Sequence, residues 1–248
     1  MGEVLHRLAL KGVVFGKGVV FGMLAFLSYQ IYLGFRARAL IGRTAYIDIV
    51  RPEVCRIGGE LLSLEQALEE LSEEFLPEGC IGETVPYRLR HPSGLRIEIF
   101  LPHRSGPPGR VVAPPRSGFS DTGALELPYL EYLLEGPVSS TLISERILVP
   151  VTVPAPERFV WHKLLTAARR PLPEKRAKDL RQAGYVAYIL KARGNLRSLQ
   201  DALQSLQNRS YRKTRKYIEQ SLQDLAELEK QKQIPEGVHE QLERLLKN

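Results

Sequence analysis

Residues 18–35, GVVFGMLAFLSYQIYLGF, contain no charged side chain. A run of this length has to be hidden from water, either in lipid or in a protein core. Gly22, Ser28, Tyr29, Gln30 and Gly34 dilute it, and Lys17 interrupts its upstream side. No secretory leader with a cleavage-site pattern is read ahead of it, so membrane insertion is not expected. Burial in a core accounts for the same letters: a strand over Val19–Phe21, a turn at Gly22 and a buried helix over about 23–33. The run opens inside a repeat, because KGVVFG occurs at 11–16 and again at 17–22. The glycines Gly12, Gly16, Gly18 and Gly22 spell neither G-x-G-x-x-G nor a Walker loop. What is left is a strand, a glycine and a helix start. Such a junction can offer backbone N–H groups to a phosphate, or it can simply be a tight turn.

The rest of the chain separates into two regimes. Up to residue 155 strand and helix signals mix. RTAYIDIVRP, 43–52, is rich in β-formers and closes on Pro52, which predicts a strand. LSLEQALEELSEEF, 62–75, puts Leu64, Leu68, Leu71 and Phe75 on one helical face, with Ser63 and Gln66 as a capping box. YRLRHPSGLRIEIFLP, 87–102, alternates on either side of HPSG and predicts a hairpin. Residues 103–122 are dense in Pro, Gly and Ser and read as a loop. A short helix at about 130–134 and a strand within 145–154 follow. From Pro156 onward the pattern is helical: 157–169, 174–192, 195–207, 209–229 and about 236–246. The expected fold class is therefore α+β: a mixed sheet with helices over residues 1–155, then a helical domain over 156–248.

Charge follows the same division. The net charge is +7, yet residues 156–248 hold 20 Lys and Arg against 11 Asp and Glu, which is +9. A basic block attracts polyanions, or it forms a solvated helical surface. Within it, NRSYRKTRKYIEQ, 208–220, interleaves Arg209, Arg212, Lys213, Arg215 and Lys216 with Tyr211 and Tyr217, a composition suited to nucleic acid. Hydrophobic content of 44% and charged content of 25% are ordinary for a globular chain. Cys55 and Cys80 fit no metal spacing and read as reduced thiols of a cytoplasmic protein.

Two carboxylates stand out on the strands. Asp48 lies with Thr44 near the first, and Glu98 lies on the hairpin. Beside a glycine turn, carboxylates on neighbouring strands can hold Mg²⁺ against a triphosphate. The plain alternative is that both are ordinary strand-end acids. The order of motifs resembles bacterial proteins with a nucleotidyltransferase fold, of the polymerase-beta-like superfamily and related to toxin-type minimal nucleotidyltransferases. The resemblance rests on Gly22, Leu33-Gly34, Thr44, Asp48 and RIEIFLP with Glu98. It extends to VPAPERFVWHKLLTAARR, 153–170, and KRAKDLRQA, 175–183, and covers about residues 5–230. One KGVVFG copy matches the family's strand and glycine turn; the other lengthens the edge or loop before it. Three positions depart from the pattern. Met23 replaces a small hydroxylated residue, Tyr46 replaces the first carboxylate of Asp-x-Asp, and Glu98 replaces an aspartate.

The resemblance implies transfer of a nucleoside monophosphate from an NTP to an RNA or protein acceptor, with Mg²⁺. Asp48 and Glu98 would be the metal ligands and would align the attacking hydroxyl. Gly22, Met23, Thr44, Lys163 and Lys178 would face the nucleotide, with Lys163 neutralising triphosphate charge. Lys178 and Asp179 would form an ion pair, and Arg169 and Arg170 would meet phosphate or cap their helix. His162 reads as a packing residue. Tyr46 cannot act as a hard anionic ligand near neutral pH. The alternative is thus the same fold with a decayed metal site, binding nucleic acid or a partner protein through its basic half.

Overall fold

The computed structural model describes residues 1–37, 44–51, 56–57, 60–69, 75–81, 85–103, 109–144, 147–209 and 213–247. The chain forms two compact units, one of Met1–Tyr32 with Arg43–Pro154 and one of Leu33–Gly42 with Ala155–Asn248. No described helix is long and apolar enough to cross a membrane.

The first unit opens with α1 (Gly2–Leu10), a helix absent from the sequence expectations. The uncharged run then forms β1 (Val19–Val20) and α2 (Gly22–Tyr32), joined at Gly22 with φ +68°. Glycine suits that left-handed conformation because it has no Cβ to clash. The buried side of α2 includes Leu24, Ala25, Phe26 and Tyr29, and the Tyr29 hydroxyl donates to the Pro154 carbonyl at 2.6 Å. The core therefore absorbs most of the run, and Ile31 and Tyr32 at the end of α2 stay exposed.

Next come β2 (Tyr46–Val50), the short pair β3 (Arg56–Ile57) and β4 (Glu60–Leu61), and α3 (Leu64–Leu68). Ser63 caps α3 as expected, accepting from the Gln66 amide at 2.9 Å. Asp121 reinforces that end, accepting from the Leu64 and Glu65 amides and from the Ser63 hydroxyl. The helix is shorter than its periodicity predicts, and residues 70–74, with Leu71, lie outside the described residues. Phe75 leads instead into β5 (Leu76–Ile81), which pairs antiparallel with β6 (Val85–Arg90). Pairing with a neighbour outweighs the local helical spacing there. β6 and β7 (Arg96–Pro102) are the expected hairpin, and the segment read as loop contains β8 (Val111–Val112). β9 (Ala124–Leu127), α4 (Leu130–Leu133) and the hairpin β10 (Val138–Ser144) with β11 (Ile147–Val153) complete the unit.

The main sheet has the order β1-β2-β7-β6-β5, with β9 beside β7 and β8 beside β9. β2, β7 and β9 run parallel, while β1, β6 and β5 are antiparallel to their neighbours. Alternation sets its faces. Ile47, Ile49, Ile97 and Ile99 are fully buried, whereas Asp48 and Glu98 between them are half-buried. Toward the strand ends Val50 and Phe100 return to the core with Leu130 and Leu133, and Phe21 meets the Phe100 ring edge-to-face at 5.2 Å.

The second unit carries α5 (Pro156–Ala167), α6 (Pro173–Ala192), α7 (Leu196–Gln207), α8 (Thr214–Lys230) and α9 (Val238–Lys247). Each of α5 and α6 starts with proline at its first position, where the missing N–H costs nothing. The Trp161 indole donates to the Leu199 carbonyl at 2.9 Å and the Ser221 hydroxyl to the Leu164 carbonyl at 2.6 Å, which ties α7 and α8 to α5. α8 starts five residues later than its sequence pattern suggests, with Lys213 at φ +63° as its N-cap.

Candidate active site

The Phe21 amide donates to the Asp48 carbonyl at 3.1 Å, which fixes the β1–α2 turn against β2. The next residue is Gly22, and a Cβ added to it would lie 2.7 Å from Asp48 Oδ2. Glycine is thus required twice here, for its φ and for the approach of the carboxylate. The positive end of the α2 dipole favours a negative group at that place.

Parallel register puts Asp48 directly beside Glu98, and the sheet continues the row. Glu98 is the cross-strand partner of Arg88, and Arg88 that of Glu78. Four strands therefore present Asp48, Glu98, Arg88 and Glu78 in line on one face. Arg88 Nε is 2.6 Å from Glu98 Oε1, and Arg88 Nη1 is 3.9 Å from Glu78 Oε2. Arg96 occupies the next rung: its Nε donates to Glu78 Oε2 at 2.7 Å and its Nη1 to the Tyr46 hydroxyl at 3.1 Å. Burial pushes the Glu98 carboxyl above its ordinary value, with the Arg88 charge opposing. Glu78 is held below the usual range, chiefly by its hydrogen bond from Arg96.

Tyr46, 42% exposed, lies two residues before Asp48 in β2 and so on the same face of the strand. It accepts a hydrogen bond from a cation but offers no hard anionic ligand. Among the described residues no group of three or more His, Cys, Asp or Glu is placed to hold a metal ion. Magnesium is commonly held by one or two carboxylates together with substrate phosphates and water. Among the described residues, the adjacent carboxylates Asp48 and Glu98 fit one such ion.

The other expected residues are placed as follows. Met23 is buried in the first turn of α2. Thr44 bonds locally, its hydroxyl donating to the Tyr46 carbonyl at 3.3 Å and accepting from the Tyr46 amide at 3.2 Å. Lys163 lies in the second unit. It is buried, and its ammonium donates to Asp179 Oδ1 at 2.5 Å, an ion pair within the helical unit. Asp179 also accepts from Arg170 Nε at 2.9 Å. The cations on Asp179 are thus Lys163 and Arg170, where the sequence suggested Lys178. Burial acts to raise the Asp179 carboxyl, and the charges of Lys163 and Arg170 outweigh it and hold it low. His162 is buried and its pKa falls to about 3, mainly through burial and then through Lys163, so it is a neutral packing residue. Lys178 is half-buried on α6. Of the basic run, Lys216 is exposed on α8, Arg215 pairs with Glu219 at 2.9 Å, Arg209 follows α7, and Arg212 lies outside the described residues. Cys80 is a free, exposed thiol; Cys55 lies outside the described residues.

Sequence reasoning missed Glu78, Arg88 and Arg96. Their strand alternation was legible, but cross-strand register depends on turn geometry and core fit, and it decides which charges meet.

An α+β sheet unit that sets an acidic pair beside a glycine-opened helix is a frame suited to handling phosphate groups. A family model described as Nucleotidyltransferase matches residues 1–208, and the chain belongs to that family. Two solved structures are similar. The solution structure of the antibiotic-resistance factor ANT(2'')-Ia shares 16% identity, with 83% of this chain and 93% of that one covered and a TM-score of 0.36. The crystal structure of an antigenic nucleotidyltransferase-like protein from Paracoccidioides brasiliensis shares 18% identity, with 83% and 86% covered and a TM-score of 0.38. No curated protein matches the sequence.

Proposed function

We propose that this member of the family transfers a nucleoside monophosphate from an NTP to an RNA or protein acceptor, using one Mg²⁺ held at Asp48 and Glu98. The observation that carries the reading is the register of β2 on β7, which sets the two carboxylates side by side with Asp48 against Gly22. In this reading the amides opening α2 receive nucleotide phosphate oxygens. Asp48 and Glu98 keep the reacting groups in line. The acceptor oxygen bonds to the α-phosphorus, the bond to the bridging oxygen breaks, pyrophosphate leaves and the acceptor proton is lost to water. The ion, when bound, supplies charge neutralisation on the phosphates.

Label from an [α-³²P]NTP should enter RNA or protein in the presence of Mg²⁺. Asp48→Asn and Glu98→Gln should each lower incorporation by about a thousandfold, the scale of several kcal/mol of charge stabilisation. Incorporation undiminished in both variants rejects the reading.

A second reading, a binding module on the same frame, is favoured by Tyr46 and by the pairing of Glu98 with Arg88. It expects no incorporation. It expects instead RNA affinity that falls with salt, that Asp48→Asn leaves intact and that Lys213→Glu with Lys216→Glu weakens.

A further inference from the structure

Arg88 has two carboxylates within reach and is unequally committed to them. On one side is Glu98, 2.6 Å from its Nε, with side-chain exposures of 30% for Arg88 and 14% for Glu98. The contact is an ion pair: among the described residues the Arg88 Nε–H meets no aligned hydrogen-bond acceptor. On the other side is Glu78, 3.9 Å from Nη1. Glu78 is already engaged by Arg96 through both carboxylate oxygens, at 2.7 and 3.4 Å. The four side chains occupy consecutive places in one row, so a small swing of the guanidinium exchanges Glu98 for Glu78. Asp48 and Glu98 are like charges on adjacent strands, an unfavourable pairing that a neighbouring cation relieves.

We propose that Arg88 is an internal counter-cation for Glu98, which a divalent ion must displace toward Glu78 before it can settle between Asp48 and Glu98. Arg88 is therefore a positioning residue that sets the affinity of the acidic pair for metal. Its guanidinium cannot lose its charge, so only movement relieves its repulsion of the ion. This rests on the proposed metal role of Asp48 and Glu98.

The test is Mn²⁺ binding to the full chain, read by the electron paramagnetic resonance of free Mn²⁺, without nucleotide and without turnover. Arg88→Gln removes the charge and should tighten Mn²⁺ binding at least about tenfold, the size expected for deleting one unit charge beside a divalent ion in a partly solvated site. Arg88→Lys retains the charge and should stay within about threefold of wild type. Glu98→Gln should weaken binding at least tenfold. Arg88→Gln binding equal to or weaker than wild type, while Glu98→Gln weakens, overturns the role of Arg88 alone. No Mn²⁺ binding by wild type, or binding unchanged by Glu98→Gln, overturns the metal reading as well. A second measurement needs no Arg88 variant: Mg²⁺ added to the ¹⁵N-labelled chain should shift the Arg88 Nε–H resonance in wild type and not in Glu98→Gln. An unmoved resonance in wild type rejects the displacement.

Discussion

Gly22 and Gly94 both adopt positive φ, at +68° and +88°, yet they answer to different constraints. Around Gly94, in the β6–β7 turn, a Cβ would meet nothing within 4 Å. Gly94→Ala should therefore cost only the backbone strain, about 1–2 kcal/mol. Gly22→Ala adds a collision with the Asp48 carboxylate at 2.7 Å. We expect it to cost about 1 kcal/mol more than Gly94→Ala in urea unfolding, and to weaken Mn²⁺ binding, which Gly94→Ala should leave alone. A second residue poses the opposite problem. Arg51 is fully buried just after β2, its guanidinium lies 4.6 Å from the Phe119 ring centre, and none of its three nitrogens has a hydrogen-bond partner among the described residues. Burial pushes its pKa down to about 10, which still leaves it charged at neutral pH. Contact with the ring returns about 2 kcal/mol, less than the several kcal/mol that desolvating an ion costs. Arg51→Met keeps the stem's packing without the charge and should raise unfolding free energy by about 1–2 kcal/mol; a loss of stability would show that the cation–ring contact outweighs its desolvation.

At the scale of elements, the two copies of KGVVFG show how far local sequence reaches. The second copy is β1 and its glycine turn, as its position before the apolar helix predicts. The first, 11–16, is a turn after α1, held by Val14 accepting from the Thr152 amide and by the Gly16 amide donating to the Thr152 hydroxyl. Identical letters take different forms because the second copy finds a strand partner in β2, whereas the first bonds to Thr152 of β11 as a turn. The β6–β7 hairpin and the helices from α5 onward were legible because their turns and caps are local. β10 was not, since VSSTLIS has little apolar alternation and gains its place by pairing with β11. The same limit applies to the site. Asp48 and Glu98 stand out on the letters, whereas the pairing of Lys163 with Asp179 arises only when α5 packs on α6. That helix pair has a pH signature. His162 titrates near 6.5 when exposed and near 3 in the fold, so the unfolded chain takes up its proton first as pH falls. Stability is therefore lost as pH drops from about 6.5 toward 3. Asp179 works in the same direction lower down: its carboxyl is depressed below 3.8, so its contribution is present above that pH and lost beneath it. His162→Gln should flatten the decline in melting temperature between pH 6.5 and about 3 and leave in place the part below 3, where Asp179 still contributes.

For the molecule as a whole, chain order and compact units do not coincide. The second unit takes in Leu33–Gly42, about 120 residues ahead of its other members. Leu33 and Ala37 are almost fully buried, and Gly34, with φ +60°, approaches Arg193 so closely that a Cβ there would lie 3.0 Å from Nη2. The Leu-Gly pair that closes α2 is thus anchored among the helices that begin at Pro156. A cavity left by a buried leucine typically costs 2–5 kcal/mol. Leu33→Ala should therefore lower the stability of the helical unit, although residue 33 is far from it in sequence. Hydrogen exchange resolves where the loss falls, because local openings report the stability of each unit separately. Amides of α5 and α6 should lose protection in Leu33→Ala while those of β2 and β7 keep theirs. Protection lost first in β2 and β7 would mean that Leu33 stabilises the sheet unit, and that the helical unit holds together without it.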